Sequence, residues 1–308
     1  MKRNWLSLMG EFDEKGGNLL FLGKEVDFKT EQEVQKVASL GSALFCQRFA
    51  GGVVSATVQF AEMDDRTACE LLLFYDPASG FFVTAGLGGG YNMFNIRHFD
   101  SKNWTYHKQF GDRVNLKAHR KYQVAARVRG STVSLSVDGV DVTSVDLPYS
   151  LPETQVGVWC MSRNRITISD FVVSSTKPAA FVVMPFSSPY NELYADVIKR
   201  ICKEVDLDVI RADEDFGPGI ILADVIRKIV QSKVVIAEIS SRNPNVYYEV
   251  GYAHALNKPT ILIAQKSTEL PFDVSPFRTL FYEDTIHGKE NLEDGLKKHL
   301  QAVLHERA

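Results

Sequence analysis

Cysteine is scarce in this chain of 308 residues. Cys46, Cys69, Cys160 and Cys202 form no CxxC pair, and no histidine, cysteine or carboxylate spacing of a metal cage is present. That excludes a disulfide framework and a zinc centre, and the four read as buried free thiols of a reducing compartment. Long apolar runs are absent too. No 18 consecutive apolar residues occur, and the segment from Met1 to Glu11 has too short an apolar core for a signal peptide. A soluble, cytoplasmic protein with no membrane partner is expected. Nor is there an excess of basic charge: 35 Lys and Arg face 38 Asp and Glu, a net charge of −3. That argues against a nucleic-acid partner held by a broad basic surface. What is present is 45% hydrophobic residues over a length that favours two domains.

Residues 1–176 show short alternating or β-rich runs with hardly any helical period. Val53–Phe60, Glu70–Tyr75, Phe81–Ala85, Tyr122–Val128 and Thr132–Val137 are such runs. Turn signals such as Asp76-Pro77-Ala78-Ser79-Gly80 and Asp138-Gly139 separate them, as in hairpins. An all-β sandwich is expected. The strand ending in Val137-Asp138-Gly139, then Gly157-Val158-Trp159, then Ile166–Phe171 resembles the closing strands of concanavalin A-like lectin/glucanase jelly rolls. Glucanases of that fold need paired carboxylates in an E-x-D-x-x-E strand, and no such strand is found. The domain is therefore expected to bind a glycan, a protein or a second copy of itself, and not to catalyse. Gly86-Leu87-Gly88-Gly89-Gly90-Tyr91-Asn92 reads as a hairpin loop, since it opens no helix and makes a weak phosphate loop. Trp104, Tyr106 and Tyr91 are aromatics that can stack on a sugar or pack in a core.

From residue 177 to 308 the rhythm changes to strand, helix, strand, helix. Strands are expected at Phe181–Met184, Asp208–Ile210, Val234–Ile239, Pro259–Ala264 and Thr279–Tyr282. Helices are expected at Tyr190–Val205, Ile220–Val230, after Asn243, and at Asn291–His305. Such alternation implies an α/β flavodoxin-like parallel sheet in the order 2-1-3-4-5, with ligands at the carboxyl ends of the strands. The loops expected there carry Pro185, Phe186 and Ser187 after the first strand. The second is followed by Asp213, Asp215, Gly217 and Gly219, and the third by Arg242, Asn243 and Asn245. Asp213-Glu214-Asp215 read equally as a solvated acidic turn or as a grip on hydroxyls.

The third strand leads into the most informative stretch. Asn243 suits a helix cap and Pro244 its first position, and Val246, Val250 and Ala253 recur at helical spacing. Glu249 falls inside their arc at about 100° per residue. A carboxylate there is costly unless it is paired or opens on a cleft, so Glu249 is the candidate catalytic group. Its structural reading is a glutamate that accepts hydrogen bonds from neighbouring loop amides or pairs with Arg242 or His254. Tyr248 is a candidate for stacking on a base, although it falls on the helix's opposite side.

Phe181–Phe186 together with Asn243–Pro259 look like the nucleoside 2-deoxyribosyltransferase-like superfamily and, more broadly, the TIR-like domains of bacteria, over about residues 179–285. The resemblance implies cleavage of an N-glycosidic bond, with Glu249 stabilising or attacking the anomeric carbon. NAD is the substrate implied first and a deoxynucleoside second, with no cofactor besides. It also implies self-association and a part in bacterial defence. Asn243-Pro244-Asn245 replaces the acidic residue and Gly-Thr pair of deoxyribosyltransferases, and Asn245-Val246 stand where enzymatic TIR domains carry Trp-Cys. A nucleotide-sensing module and a scaffold remain as alternatives to an enzyme.

Overall fold

The structure, a computed structural model, describes residues 4–29, 33–90, 92–149, 151–214 and 221–305. The chain divides into two compact units. The first comprises residues 1–128, 132–147 and 153–176, and the second residues 129–131, 148–152 and 177–308.

The first unit is a sandwich of two antiparallel sheets. One runs in the order Trp5–Met9, Val34–Phe49, Thr154–Ser162, Ala68–Tyr75, Phe82–Gly88, Asn92–Phe99, Trp104–Asp112, with Glu25–Lys29 also paired to Val34–Phe49. The other runs Val140–Asp146, Thr132–Val137, Lys121–Arg129, Gly52–Phe60, Ile166–Ser175, Asn18–Phe21, Phe12–Lys15. Side chains of period two make the core. From the first sheet come Leu71, Val83, Ala85, Leu87, Ile96 and Val158, and from the second Phe60, Val58, Tyr122, Val124, Ile166 and Phe21, all at most 2% exposed. The Asp138-Gly139 turn is the tight hairpin expected. Both residues have positive φ, 52° and 79°, and Val137 pairs with Val140 across it.

The sequence runs at Val53–Phe60, Glu70–Tyr75 and Thr132–Val137 are all strands. Gly86-Leu87-Gly88, expected in a loop, closes the strand Phe82–Gly88 instead, and the turn is confined to Gly89 and Gly90 among the described residues. The long strand Val34–Phe49 goes unannounced because its ends are exposed and polar.

The second unit is an α/β domain. Its sheet is wholly parallel, in the order Asp208–Arg211, Ala179–Val183, Val234–Glu238, Thr260–Gln265, Thr279–Tyr282, which is 2-1-3-4-5. Alternate strand residues supply two separate cores, which is why the strands read as unbroken apolar runs. Val182, Ile236 and Ile263 pack with Val197, Ile201, Leu292, Leu296 and Leu300 on one face. Phe181, Val183, Val235 and Ala237 pack with Val225, Ile229, Val246, Val250 and Ala253 on the other. The first helical segment is interrupted by a π turn at Tyr194–Ile198. The last helix starts at Ile286, earlier than its apolar period announces.

No helix of the described residues is long and apolar enough to cross a membrane. The 0% exposure of Ile236 in the central strand sets a measurable cost. Ile236→Ala is expected to destabilise the second unit by about 2–5 kcal/mol through lost burial and a residual cavity. A urea unfolding curve checks this, and a shift under about 1 kcal/mol would mean that the site collapses to fill the space.

Candidate functional site

The sheet that ends in Trp104–Asp112 turns one face away from the core, and there the period of two places polar and aromatic groups side by side. Trp159 is paired with Glu70, Glu70 with Gly86, and Gly86 with Asn95. One step along, Thr84 is paired with Arg97 and Arg97 with Tyr106. These residues therefore share a face, opposite Leu71, Val83, Ala85 and Ile96.

Glu70 is 0% and Arg97 2% exposed. Arg97 Nε donates to Glu70 Oε2 at 3.0 Å, and Thr84 Oγ1 donates to the same oxygen. Arg97 Nη2 lies 2.7 Å from Glu70 Oε1. These two atoms are in ionic contact without hydrogen-bond alignment, and neither has another aligned partner. Arg97 Nη1 donates to the Tyr106 hydroxyl at 3.0 Å. The guanidinium carbon sits 3.7 Å from the centre of the Trp104 ring and 4.8 Å from that of Trp159, whose rings meet edge to face. Burial is the largest single influence and pulls the Arg97 guanidinium down, but the charge and hydrogen bond of Glu70, with those of Tyr106, together outweigh it and the net shift is upward. Asn95 Nδ2 donates to the Gly88 carbonyl and Gln109 Nε2 to Asn95 Oδ1 at 3.4 Å, which fixes the neighbouring strands.

Gly89 covers the unaligned edge of the pair. With φ at +81°, a Cβ there would stand 2.9 Å from both Arg97 Nη2 and Glu70 Oε1. Over this arrangement lies a cavity of about 440 Å³, lined among others by Trp104, Tyr106, Trp159, Arg97, Arg66 and Arg113. Trp104 and Tyr106, expected either to stack on a sugar or to pack in a core, lie at its wall; Tyr91 is outside the described residues. Glu70, Arg97 and Trp159 were not singled out from sequence. The available signal was polar residues at alternate positions of apolar strands: Glu70 between Cys69 and Leu71, Arg97 between Ile96 and His98.

The second unit distributes the expected rim residues differently. Asp213 does not offer a free carboxylate, because Arg211 donates to both its oxygens, at 2.6 and 2.7 Å. The Arg211 guanidinium carbon also lies 4.3 Å from the Tyr194 ring centre and 5.4 Å from that of Phe186. Pro185 is half-buried, and Phe186 and Ser187 are exposed. Asp215, Gly217 and Gly219 lie outside the described residues. Arg242 turns to Glu269, donating to its carbonyl at 2.9 Å, and the alternative pairing of Arg242 with Glu249 is not formed. Asn243 caps the helix Pro244–Ala255 by accepting from the Asn245 amide at 2.9 Å. Asn245 and Tyr248 are exposed. His254 stacks on Phe277, with ring centres 4.1 Å apart, and is likewise not a partner of Glu249.

Glu249 is half-buried between Val246, Val250 and Ala253, and burial alone raises its carboxyl to about 7. A cavity of about 220 Å³ does open on this unit, but between Pro189, Leu193, Gln265, Tyr282 and Leu292. Glu249 is not among its described lining residues, and the loop expected to close a pocket over Glu249 runs through residues 215–220, outside the described residues. Inside the sheet edge, the fully buried Glu238 accepts from the Ser240 hydroxyl and amide and from the Tyr282 hydroxyl at 3.2 Å. Among the described residues no three His, Cys, Asp or Glu side chains converge as metal ligands would.

No family model and no curated protein matches the chain. Solved structures do. The carbohydrate binding module CBM66 from Bacillus subtilis aligns at 10% identity and a TM-score of 0.45, over 55% of this chain and 93% of its own. The catalytic domain of an endo-1,3-beta-glucanase (laminarinase) from Thermotoga petrophila aligns at 8% identity and a TM-score of 0.38, over 55% and 90%. Porphyranase B from Zobellia galactanivorans aligns at 8% and 0.38, over 54% and 83%. The sandwich itself is established by the register of its two antiparallel sheets.

These findings correct the functional expectation. The structures matched are glycoside hydrolases and a carbohydrate-binding module, not nucleotide-cleaving enzymes, and the reading of the chain as an NAD hydrolase, deoxyribosyltransferase or nucleotide sensor gives way. Asp213, assigned to ribose, is engaged by Arg211.

Glu249 then has a thermodynamic consequence. Its folded pKa of about 7 stands above the ordinary 4.5, so its contribution to stability is complete below pH 4.5 and is lost as pH rises towards 7. Glu249→Gln, which cannot ionise, is expected to gain on the wild type through that window, by on the order of 2 kcal/mol at pH 8. Denaturation midpoints measured from pH 4 to 8 check this, and a difference independent of pH would show a solvated carboxylate.

Proposed function

We propose that the β-sandwich is a glycan-binding module whose saccharide seat is the face around Arg97, Trp104 and Tyr106, and that it binds without cleaving. The observation that carries this reading is the Glu70–Arg97 pair, buried on the side of the sheet away from the core and clasped by two tryptophans beneath a cavity. A buried ion pair is about neutral for stability against apolar residues of the same volume, so stability does not account for its place there. What the pair does supply is a guanidinium locked in one orientation, which holds the Trp104 ring at 3.7 Å and the Tyr106 hydroxyl at 3.0 Å on the cavity wall. A pyranose or furanose presents the complement, hydroxyls around its rim and C–H groups on its faces.

Cleavage is a different requirement. Glycoside hydrolysis uses two carboxyl groups on either side of the bond, about 5–9 Å apart. Asp65 is the one acidic side chain among the described residues lining the cavity, and Glu70 has its oxygens committed to Arg97 and Thr84. For residues 177–308 the reading stops at an α/β domain with a parallel sheet.

The test is affinity electrophoresis and calorimetry of the full chain against a panel of polysaccharides, including laminarin, lichenan, levan, pectin and alginate. At least one is expected to bind, and Trp104→Ala and Tyr106→Ala are each expected to weaken it roughly tenfold, on the order of 1–2 kcal/mol, measured well below the thermal midpoint of each variant, which loss of cover or partner for Arg97 is expected to lower. No release of reducing ends should accompany binding. Retention of none of the polysaccharides, or binding indifferent to both substitutions, would overturn the proposal.

A further inference from the structure

The charges around the cavity do not balance. Arg97 is neutralised by Glu70, and Asp65 lies 3.6 Å from Arg66 on one side and 3.6 Å from Arg163 on the other. Asp64 is taken by Arg163 at 2.6 Å. Arg113 is left over. It follows the strand Trp104–Asp112 in a single 3₁₀ turn, opened by Asp112, whose side chain accepts from the Val114 amide. Its half-buried guanidinium donates only to backbone carbonyls: Nη1 to Gly90 at 2.8 Å, and Nη2 to Thr67 at 2.7 Å and to Asp64. Nε and one N–H of Nη1 make no hydrogen bond, and no carboxylate pairs with Arg113 among the described residues.

A half-buried cation with no carboxylate in direct contact among the described residues is costly, and burial accordingly pulls the Arg113 guanidinium below the ordinary arginine range, although the more distant charges of Asp64 and Asp65 oppose this. Three carbonyls orient the group without discharging it. The exposed Arg66 stands on the same cavity wall. A planar guanidinium with donors to spare fits a carboxylate or an ester sulfate better than a neutral hydroxyl, and each such charge-assisted bond is roughly twice as strong as a neutral one.

We infer that the saccharide bound at this face is anionic, a uronate or sulfated sugar whose acid group meets Arg113 and Arg66 while its ring lies against Trp104 and Tyr106. The inference rests on the glycan-binding reading of the same site.

The experiment compares matched probes that differ only in charge. Oligogalacturonate is measured against its methyl ester, and a carrageenan oligosaccharide against its desulfated form, by calorimetry with the full chain at 50 and 300 mM salt. The anionic member of one pair is expected to bind at least tenfold more tightly than its neutral counterpart, with the margin shrinking at the higher salt. A preference within the first pair identifies a carboxylate ligand, and within the second a sulfate ligand. Arg66→Gln, an exposed change that leaves the fold intact, should cut that margin severalfold. Arg113→Lys, which keeps the charge but loses the planar fork, should weaken the anionic probe and spare the neutral one. Equal or tighter binding of the neutral member in both pairs overturns the inference while leaving glycan binding in place. If neither these probes nor any polysaccharide of the wider panel binds, both fall.

Discussion

The Glu70–Arg97 ion pair imposes the strictest constraint in the first unit. Two charges almost wholly removed from water are tolerated only when the partner, the angle and the remaining lone pairs are all provided. Three neighbouring strands provide them: Thr84 donates to Glu70, Tyr106 accepts from Arg97, and Trp104 and Trp159 cover the guanidinium. The glycine at 89 follows from the same geometry, because the pair fills the space that a side chain there would need. A slip of one residue in Ala68–Tyr75 or Asn92–Phe99, which carry Glu70 and Arg97, would send a charge into the core and core residues out of it. Register, turn and site are thus specified by one pair.

The sandwich was legible in sequence because its strands advertise themselves one at a time. Asp138-Gly139 permits little other than a tight hairpin, and Gly52–Phe60 alternates without a fault, its odd positions half-buried and its even ones in the core. Its binding face was not legible, for a reason of the same kind. Glu70 sits in a run, Ala68–Tyr75, that is buried nearly throughout, since aromatic side chains cover its outward half. A strand buried on both faces loses its period, and with it the signal that separates core from site. Trp104 and Tyr106 were visible as aromatics in a polar segment, but their partner Arg97 becomes visible only once the register joins residues far apart in the chain.

The second unit shows the opposite balance. Its strand order and the capped helix at Asn243 could be read from local pattern, because parallel strands and N-terminal caps are encoded within a few residues. The identity of Glu249 as an acid on an apolar arc was also readable, and burial does raise it to about 7. What did not follow was chemistry. A raised carboxyl is common to active sites and to plain packing, and the difference lies in what faces it. Arg242 is drawn off to Glu269, Asp213 to Arg211 and His254 to Phe277, so the polar groups that the pattern assembled around Glu249 are committed elsewhere.

The two carboxylates, Glu70 and Glu249, therefore make a contrast about how buried charge acquires a use. Glu249 lies in an apolar arc with no partner among the described residues, and the cheapest response is to take up a proton and cease to be a charge. Glu70 keeps its charge because Arg97 matches it, and in doing so holds a guanidinium rigidly at the floor of a cavity. Protonation removes the fixed charge at Glu249, whereas the match with Glu70 keeps one at Arg97 and with it the placement of Trp104 and Tyr106 around the guanidinium. The asymmetry extends to Arg113, which backbone carbonyls hold in place but do not neutralise. Its unmatched charge is what would distinguish one saccharide from another on a surface that aromatic rings alone would leave permissive.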